Sequence, residues 1–403
     1  MLSQNLVALG LTSFFSDISS EMMLAVIPLF LTTTLGFSIL GFGLFEAAYQ
    51  GTNALFRVVG GSVADRRQRH KQTAATGYAI SALTRLGLVA SALTAGVPAV
   101  PFLLADRVGK GIRTAPRDAL ISLSTHPNHL ATAFGVHRSL DTAGAMLGPL
   151  LAFAVLAAAP GAFDAVFVVS AIAAVIGVAI ISMFAQERTG ALEPRPSVTG
   201  FRSQWSAVLK TPGVRPLIIV AGVLSAFTIG DAFIYLLIQR ATNMSARFFP
   251  LLFAGTAVAY LLLAVPFGRI ADRVGAAKVY VSGHLLLVGV YVVVAWSGLG
   301  LFASIAALVL LGAYYAATDG VVAARTSQLV PEQVRASGIA LVTVVIAVGR
   351  MLSAGLFGWL WHSVGRSEAV VIWLCGLAVV LVIAAVMVAS SLDRSDPAMR
   401  SAK

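Results

Sequence analysis

Residues 135–149 read Gly135-Val136-His137-Arg138-Ser139-Leu140-Asp141-Thr142-Ala143-Gly144-Ala145-Met146-Leu147-Gly148-Pro149. Three glycines and a proline interrupt an otherwise helical apolar segment, and a histidine, an arginine and an aspartate stand in its first half. In a soluble helix this would be a poor composition, because each glycine costs roughly 1 kcal/mol and an interior proline about 3. In a membrane bundle the balance reverses. Glycine lets neighbouring backbones touch, and adjacent helices satisfy the groups that proline frees. Charges there are expensive, which marks them as functional. The stretch reads as one helix inside a membrane bundle, and the rest of the chain as the bundle around it.

The composition agrees. Of 403 residues, 58% are hydrophobic and 11% charged, and apolar runs of about 20 residues recur along the chain, as membrane-spanning helices require. The formal net charge of +11 would suggest nucleic acid in a soluble protein. Here it reflects basic cytoplasmic loops, and no nucleic-acid partner is expected. The single cysteine, Cys375, lies in an apolar run, so neither a disulfide framework nor a cysteine metal site is expected. The N-terminus lacks a basic leader and its apolar run contains Asp17 and Glu21, so the first helix is expected to stay in the mature protein.

The pattern predicts twelve spans, near 5–34, 40–63, 72–95, 98–122, 131–158, 163–185, 214–238, 248–271, 276–297, 299–325, 333–360 and 367–390. The longest non-apolar stretch, 186–213, carries Pro194, Pro196 and Pro212 and a short amphipathic piece around Phe201 to Leu209. It reads as a cytoplasmic linker with a helix along the membrane surface. The expected organisation is a six-helix bundle over 1–185, the linker over 186–213, a second six-helix bundle over 214–391 and a cytoplasmic tail over 392–403. With both termini cytoplasmic, most of the 28 lysines and arginines lie inside or within spans. Only Arg240, Arg247 and Arg366 lie outside, which fixes the orientation.

The halves repeat. Gly61-Ser-Val-Ala-Asp65-Arg66 follows span 2, and Gly268-Arg-Ile-Ala-Asp272-Arg273 follows span 8, 207 residues later. Pro127 and Pro331 open similar turns, 204 residues apart. An internal duplication of this kind implies a substrate site where the halves meet near the bilayer midplane.

These residues resemble a known family. The loop after span 2 is similar to the major facilitator superfamily signature G-x-x-x-D-R-x-G-R-R/K: Gly61, Asp65, Arg66 and Arg69 match, and Gln68 stands in place of the second glycine. Arg107-Val-Gly-Lys110-Gly111 resembles the span 4 signature of the superfamily, and Gly135, Gly144, Gly148 and Pro149 resemble the span 5 signature of its proton-coupled drug antiporters, although Ala152 and Phe153 replace the closing glycines. The resemblance covers essentially the whole chain. It implies an all-α integral membrane fold of twelve helices in two pseudo-symmetric bundles. It also implies a cytoplasmic gate in which Asp65 caps a helix of the other half and pairs with arginine, as a carboxylate near a helix N-terminus favours. Asp272 and Arg273 would repeat that gate. A structural basic loop is the plainer reading of the same residues.

The buried charges carry the chemistry. Asp17 and Glu21 lie four residues apart on one face of span 1. Two carboxylates in a low dielectric cannot both stay ionised cheaply, which is how a proton carrier is made; a static ion pair is the alternative. Their expected partners are Arg107, Lys110 and Arg113 on span 4. The resemblance singles out Arg107 as the residue that tunes the carboxylate. Asp106, Arg117 and Asp118 extend that network, which must face a water-filled cavity or another helix. On span 5, His137 and Asp141 are i and i+4 and can meet, with Arg138 beside them. The glycines and Pro149 are expected to pack against a partner helix, in the other half among the options. Glu46, Gln50 and Asn53 form a polar stripe on span 2 and, with Tyr49, read as a cavity wall. Arg85 is expected to snorkel or to pair with a carboxylate. The second half is poorer in charge: Asp231, Asp319 and Arg350 stand out, with Tyr235 and other aromatics available to an apolar substrate.

No Walker-type phosphate loop is present, so no ATP drive is expected. His126, His129, His137, His284 and His362 make no metal cluster, no hydrolase constellation occurs, and no cofactor or enzymatic activity is expected. The sequence therefore reads as a proton-coupled secondary transporter of a bacterial inner or sole membrane, a monomer exporting small amphipathic compounds against protons by alternating access. Proton-linked uptake of a polar metabolite or ion would use the same fold. A non-transporting receptor or scaffold is the reading from another class.

Overall fold

The computed structural model describes residues 3–67, 69–94, 98–126, 129–187, 201–295, 300–331 and 334–393. The chain packs as two compact units. The first holds α1 (Gln4–Leu24), α2 (Ile27–Leu29) running into a π-helical turn over Phe30–Thr34, α3 (Ile39–Arg67), α4 (His70–Leu93), α5 (Ala99–Leu123), α6 (Leu130–Ala158) and α7 (Phe163–Phe184). The second holds α8 (Phe201–Lys210), α9 (Val214–Ala226), α10 (Asp231–Thr242), most of α11 (Phe249–Val274), α12 (Ala276–Ala295), α13 (Leu301–Leu329), α14 (Arg335–Val364) and α15 (Arg366–Asp393). Residues Met244–Ala254 pack with the first unit, where Phe248 stacks on Phe153 at 6.0 Å. The packing boundary therefore departs at this segment from the division by chain order.

Among the described residues, nine helical segments are long and apolar enough to cross a membrane. The long helices α3, α4 and α5 fall outside that set. Polarity accounts for it: α5 carries Asp106, Arg107, Lys110, Arg113, Arg117 and Asp118, α3 joins Glu46 to Gln50 and Asn53, and α4 joins Arg85 to several serines and threonines. Exposed leucine, isoleucine and valine side chains line α7, α11 and α15, as surfaces facing lipid should.

In the first unit α1 packs against α6 and α7 and touches α5. Its buried face carries small polar residues, Thr12, Ser13, Ser16, Ser19 and Ser20, beside apolar ones such as Leu9 and Met22. Such residues let helices approach closely in a membrane. The approach is tightest along α6. A Cβ added at Gly148 would sit 2.8 Å from Glu21 Cβ and 2.9 Å from the Ile18 carbonyl oxygen, and one at Gly144 would strike the Phe14 carbonyl. The span 5 glycines thus pack against α1 of their own half. Gly135 is different, with nothing within 4 Å of an added Cβ. In the second unit a Cβ at Gly349 of α14 would lie 2.8 Å from the Gly222 carbonyl of α9. Gly144 and Gly349 are 205 residues apart, so the internal repeat extends to helix packing.

Two spans that the sequence presents as continuous are broken. Span 1 pauses at Ala25–Val26, just before Pro28, which cannot donate a backbone hydrogen bond. Span 7 opens between Ala226 and Asp231. No proline causes that break. The linker piece forms α8, whose Val208 is fully buried in a cluster with Val214, Val330, Val334 and Leu341, so this helix is anchored to the second unit.

Gly148→Leu is expected to destabilise the protein by about 1–3 kcal/mol or to prevent folding, because it overpacks the α1–α6 contact. Gly135→Ala should be neutral. Thermal stability of each purified variant in detergent, followed by monodisperse elution, checks both.

Candidate functional site

The charged residues of the first unit resolve into linked groups. Asp106 on α5 is 2% exposed and is held from two sides: Arg85 of α4 lies 2.9 Å away, and Arg107 Nη2 donates to it at 2.6 Å. Arg85, 1% exposed, also donates to Ser19 and Ser20 of α1 at 3.2 and 3.4 Å. The Arg107 guanidinium stands 4.4 Å over the Tyr49 ring of α3. One buried carboxylate thus ties α4 to α5, and its arginines reach α1 and α3.

Of the expected partners of Asp17 and Glu21, Arg107 is taken by Asp106, and Lys110 approaches Glu21 at 3.8 Å. The carboxyl groups of Asp17 and of Asp141 on α6 lie close enough to act on each other. Asp141 also faces Arg117 at 3.6 Å and Arg138 at 3.4 Å. Two carboxyl groups brought together in a low dielectric cannot both stay ionised cheaply. Asp17 and Glu21 share a helix face and yet look to different partners.

Around this pair lies a polar group that the sequence did not assemble. Ser13 of α1 receives a hydrogen bond from Arg117 at 3.1 Å and lies 3.2 Å from the Tyr78 hydroxyl and 3.0 Å from His137 Nε2. His137 is therefore engaged with α1 and not with Asp141. Arg113 is buried, bonded to Ser81 at 3.1 Å and 4.5 Å over the Tyr78 ring. The i, i+3 row 107–110–113 distributes its cations over separate partners, and Arg117, one turn further on, reaches the carboxyl pair.

On α3, Gln50 donates to Glu46 at 2.8 Å. Asn53 is half-buried, and Tyr49 is buried under Arg107. Gly61, Asp65 and Arg66 lie outside the residues whose side chains are described. Arg69 is exposed and donates to Gln72 at 3.3 Å, and Asp272 and Arg273 are exposed at the end of α11. Pro149 is a buried interior residue of α6.

In the second unit, Tyr235 is buried and donates to Thr256 at 2.8 Å, so it serves packing. Asp231 begins α10 directly after the break and accepts a hydrogen bond from the Tyr315 hydroxyl. Arg350 pairs with Asp319 at 3.7 Å and stands 5.6 Å over the Tyr315 ring. Sequence reasoning named Asp231, Asp319 and Arg350 as intramembrane charges and left Tyr315 among the aromatics. Among the described residues no group of three or more histidine, cysteine, aspartate or glutamate side chains could hold a metal ion.

Long apolar helices that enclose paired and hydrogen-bonded ionisable groups have the build of a multi-pass membrane transporter. The chain belongs to the Major Facilitator Superfamily, whose family model matches residues 9–239 and 228–402. It is 31% identical over 374 residues to an uncharacterized MFS-type transporter of Methanocaldococcus jannaschii, an alignment covering 89% of each chain. Its fold is similar to a crystal structure of a mutant of the nucleoside transporter NupG, with a TM-score of 0.79 at 16% identity over 95% of this chain and 99% of that one. A mutant of the peptide transporter POT gives a TM-score of 0.79 at 14% identity, covering 96% of this chain and 95% of that one. At such identities the likeness is one of fold.

Asp106→Ala should destabilise the first unit by about 3–5 kcal/mol, since it leaves buried arginines without their carboxylate. Lys110→Ala, which breaks a longer and partly exposed pair, should cost less than about 1 kcal/mol. The yield and melting temperature of the two variants, measured side by side in one detergent, test that order.

Proposed function

We propose that the protein is a proton-coupled secondary transporter with twelve membrane spans in two six-helix bundles, exporting small amphipathic compounds by alternating access. The observation that carries this reading is the Asp17–Asp141 contact. Two carboxyl groups joined inside a membrane bundle share a proton, and releasing it leaves two like charges side by side. That coupling makes the proton's arrival and departure a conformational event. Arg117, 3.6 Å from Asp141, is placed to answer the charge when the proton leaves. In this reading Glu21 and Lys110 form a second, more exposed pair that loosens and reforms with the cycle, and His137 holds α6 to Ser13 and relays no proton.

The three charged helices α3, α4 and α5 complete the count of twelve. They are expected to span because buried or shielded partners offset their charges. The membrane is a bacterial inner or sole membrane with both chain termini in the cytoplasm, the loops of 61–69 and 268–275 serve as the cytoplasmic gate, and the protein works as a monomer. Export is supported by the span 5 pattern, whose Gly144 and Gly148 close the α1–α6 contact beside the carboxyl pair and so restrict water there. A second reading, proton-linked uptake of a polar metabolite, is favoured by the polar stripe of Glu46 and Gln50. It also has support in the names of the nucleoside and peptide transporters that share the fold.

In proteoliposomes with a trapped pH dye, a substrate drawn from a panel of lipophilic cations, neutral drugs, sugars and organic anions is expected to move protons in the opposite direction. Asp17→Asn and Asp141→Asn should each abolish pH-driven transport while the protein remains folded. Co-directional proton movement would establish the uptake reading instead. Normal pH-driven transport by Asp17→Asn would remove the carboxyl pair from the mechanism.

A further inference from the structure

The break between α9 and α10 lies inside the membrane segment Val214–Thr242. Opening a helix there exposes backbone groups that lipid cannot satisfy, and the second unit supplies side chains to satisfy them. The Tyr291 hydroxyl accepts from the Ile229 amide at 2.7 Å and donates to the Phe227 carbonyl at 2.9 Å, and Ser353 donates to the Thr228 carbonyl at 2.7 Å. α9 and α10 stand on either side of the break, and α12 and α14 stitch it with neutral groups. Directly after it comes Asp231. Among the described residues it forms no ion pair: Tyr315 donates to it, and Arg350, the nearby cation, pairs with Asp319. Unlike Asp106 or Asp141, Asp231 has a phenol as its close partner, and Arg350, which stands over the ring of that phenol, acts on it from further away. Its surroundings are aromatic, with Phe227 and Tyr291 at the break and Tyr315 on α13, which Tyr314 joins at 5.1 Å.

We propose that Asp231 is the recognition group for an organic cation, held by the carboxylate and by the aromatic rings of Tyr315 and its neighbours. A carboxylate whose close partner is a neutral phenol attracts a cation, and aromatic faces favour an organic one over a small hydrated ion. The cluster lacks the several oxygen donors that a metal cation takes. This inference rests on the reading of the chain as an exporter of amphipathic compounds, and names the positively charged members of that class as its substrates. The charge at the start of α10 has a structural use as well, since a helix N-terminus favours a carboxylate. Asparagine and serine are also good residues at a helix start, so both can replace Asp231 without loss of the helix.

The test is equilibrium binding to the full-length protein in lipid nanodiscs, without a pH gradient. The probes are tetraphenylphosphonium, a cation that carries no exchangeable proton, and triphenylphosphine oxide, a neutral analogue. Asp231→Asn and Asp231→Ser should each weaken tetraphenylphosphonium binding by at least about tenfold, the loss expected when a buried charge loses its partner, and leave the neutral analogue unchanged. Asp231→Glu, which keeps the charge, should retain binding within about fivefold, and Asp17→Asn should still bind the cation. Unchanged tetraphenylphosphonium affinity in both uncharged variants would overturn the proposal, as would the absence of saturable binding to the folded wild type. Loss of proton movement in Asp231→Asn with cation affinity intact would make Asp231 a proton carrier and overturn it as well. The carboxyl-pair mechanism is judged separately, by proton flux in Asp17→Asn.

Discussion

A carboxylate placed among membrane helices must be answered by a cation, a proton or a hydrogen-bond donor, and Asp106 is answered twice over. Arg85 and Arg107 both bind it, and each arginine is in turn held by another helix, Arg85 by serines of α1 and Arg107 by the ring of Tyr49. This arrangement decides what the remaining charges can do. With Arg107 committed, Glu21 is left with Lys110. Arg117 lies too far along α5 to serve Asp106 and meets Asp141. Asp17, which makes no direct ion pair among the described residues, lies against another carboxyl group, with Lys110 and Arg113 acting from further away. The candidate proton site is thus the residue of a charge balance that Asp106 settles first.

The two units are alike in packing and unlike in charge. Both bring a glycine of the fifth helix of the half onto the backbone of the first, at Gly144 and Gly349. Both interrupt that first helix partway along. The interruption in the first unit is short and follows from Pro28. The one in the second unit is longer and is held by Tyr291 and Ser353. A duplicated scaffold has kept its close contacts, where any added atom would collide, and let its polar positions diverge. Close contact constrains volume alone, and many side chains of suitable size satisfy a helix interior. Charge constrains partners, so each half evolves its own set.

How far the sequence reveals this follows from the same distinction. Helical spans, the linker piece around Phe201 and the glycine contacts at Gly144 and Gly148 were readable, because hydropathy and small-residue patterns act locally. The presence of a buried network on α5 was readable too, since its charges cannot face lipid. The pairing within it was not. Asp17 and Glu21 share a face, and spacing alone assigns both to the same basic row. Their true partners depend on the rotation of α6 and α4 against α1, which contacts between helices set. Arg85 and Asp106 stand 21 residues apart on neighbouring helices, and neither position carries a motif that announces the other. Gly135 shows the reverse: it fits the pattern, yet an added Cβ there would meet nothing within 4 Å among the described residues. The break before Asp231 carries a weak local signal, Thr228-Ile229-Gly230-Asp231, and becomes interpretable only once Tyr291 and Ser353 are seen to satisfy it.

The proposed division of chemistry between the units has a physical rationale. A carboxyl pair such as Asp17–Asp141 is well made for a proton, which needs no space and whose loss is felt as repulsion between the partners. It is badly made for a bulky cation, because Asp141 already faces Arg117 and Arg138, and because glycines draw α1 and α6 together beside it. Asp231 has the opposite qualities. Its hydrogen-bond partner is a phenol, which adds no positive charge, and the groups that hold the neighbouring break are neutral. Nothing among the described residues at that position cancels its charge at close range, and an aromatic surface stands beside it. A small ligand that alters a charge balance belongs at the first site, and a large one that completes a charge balance belongs at the second.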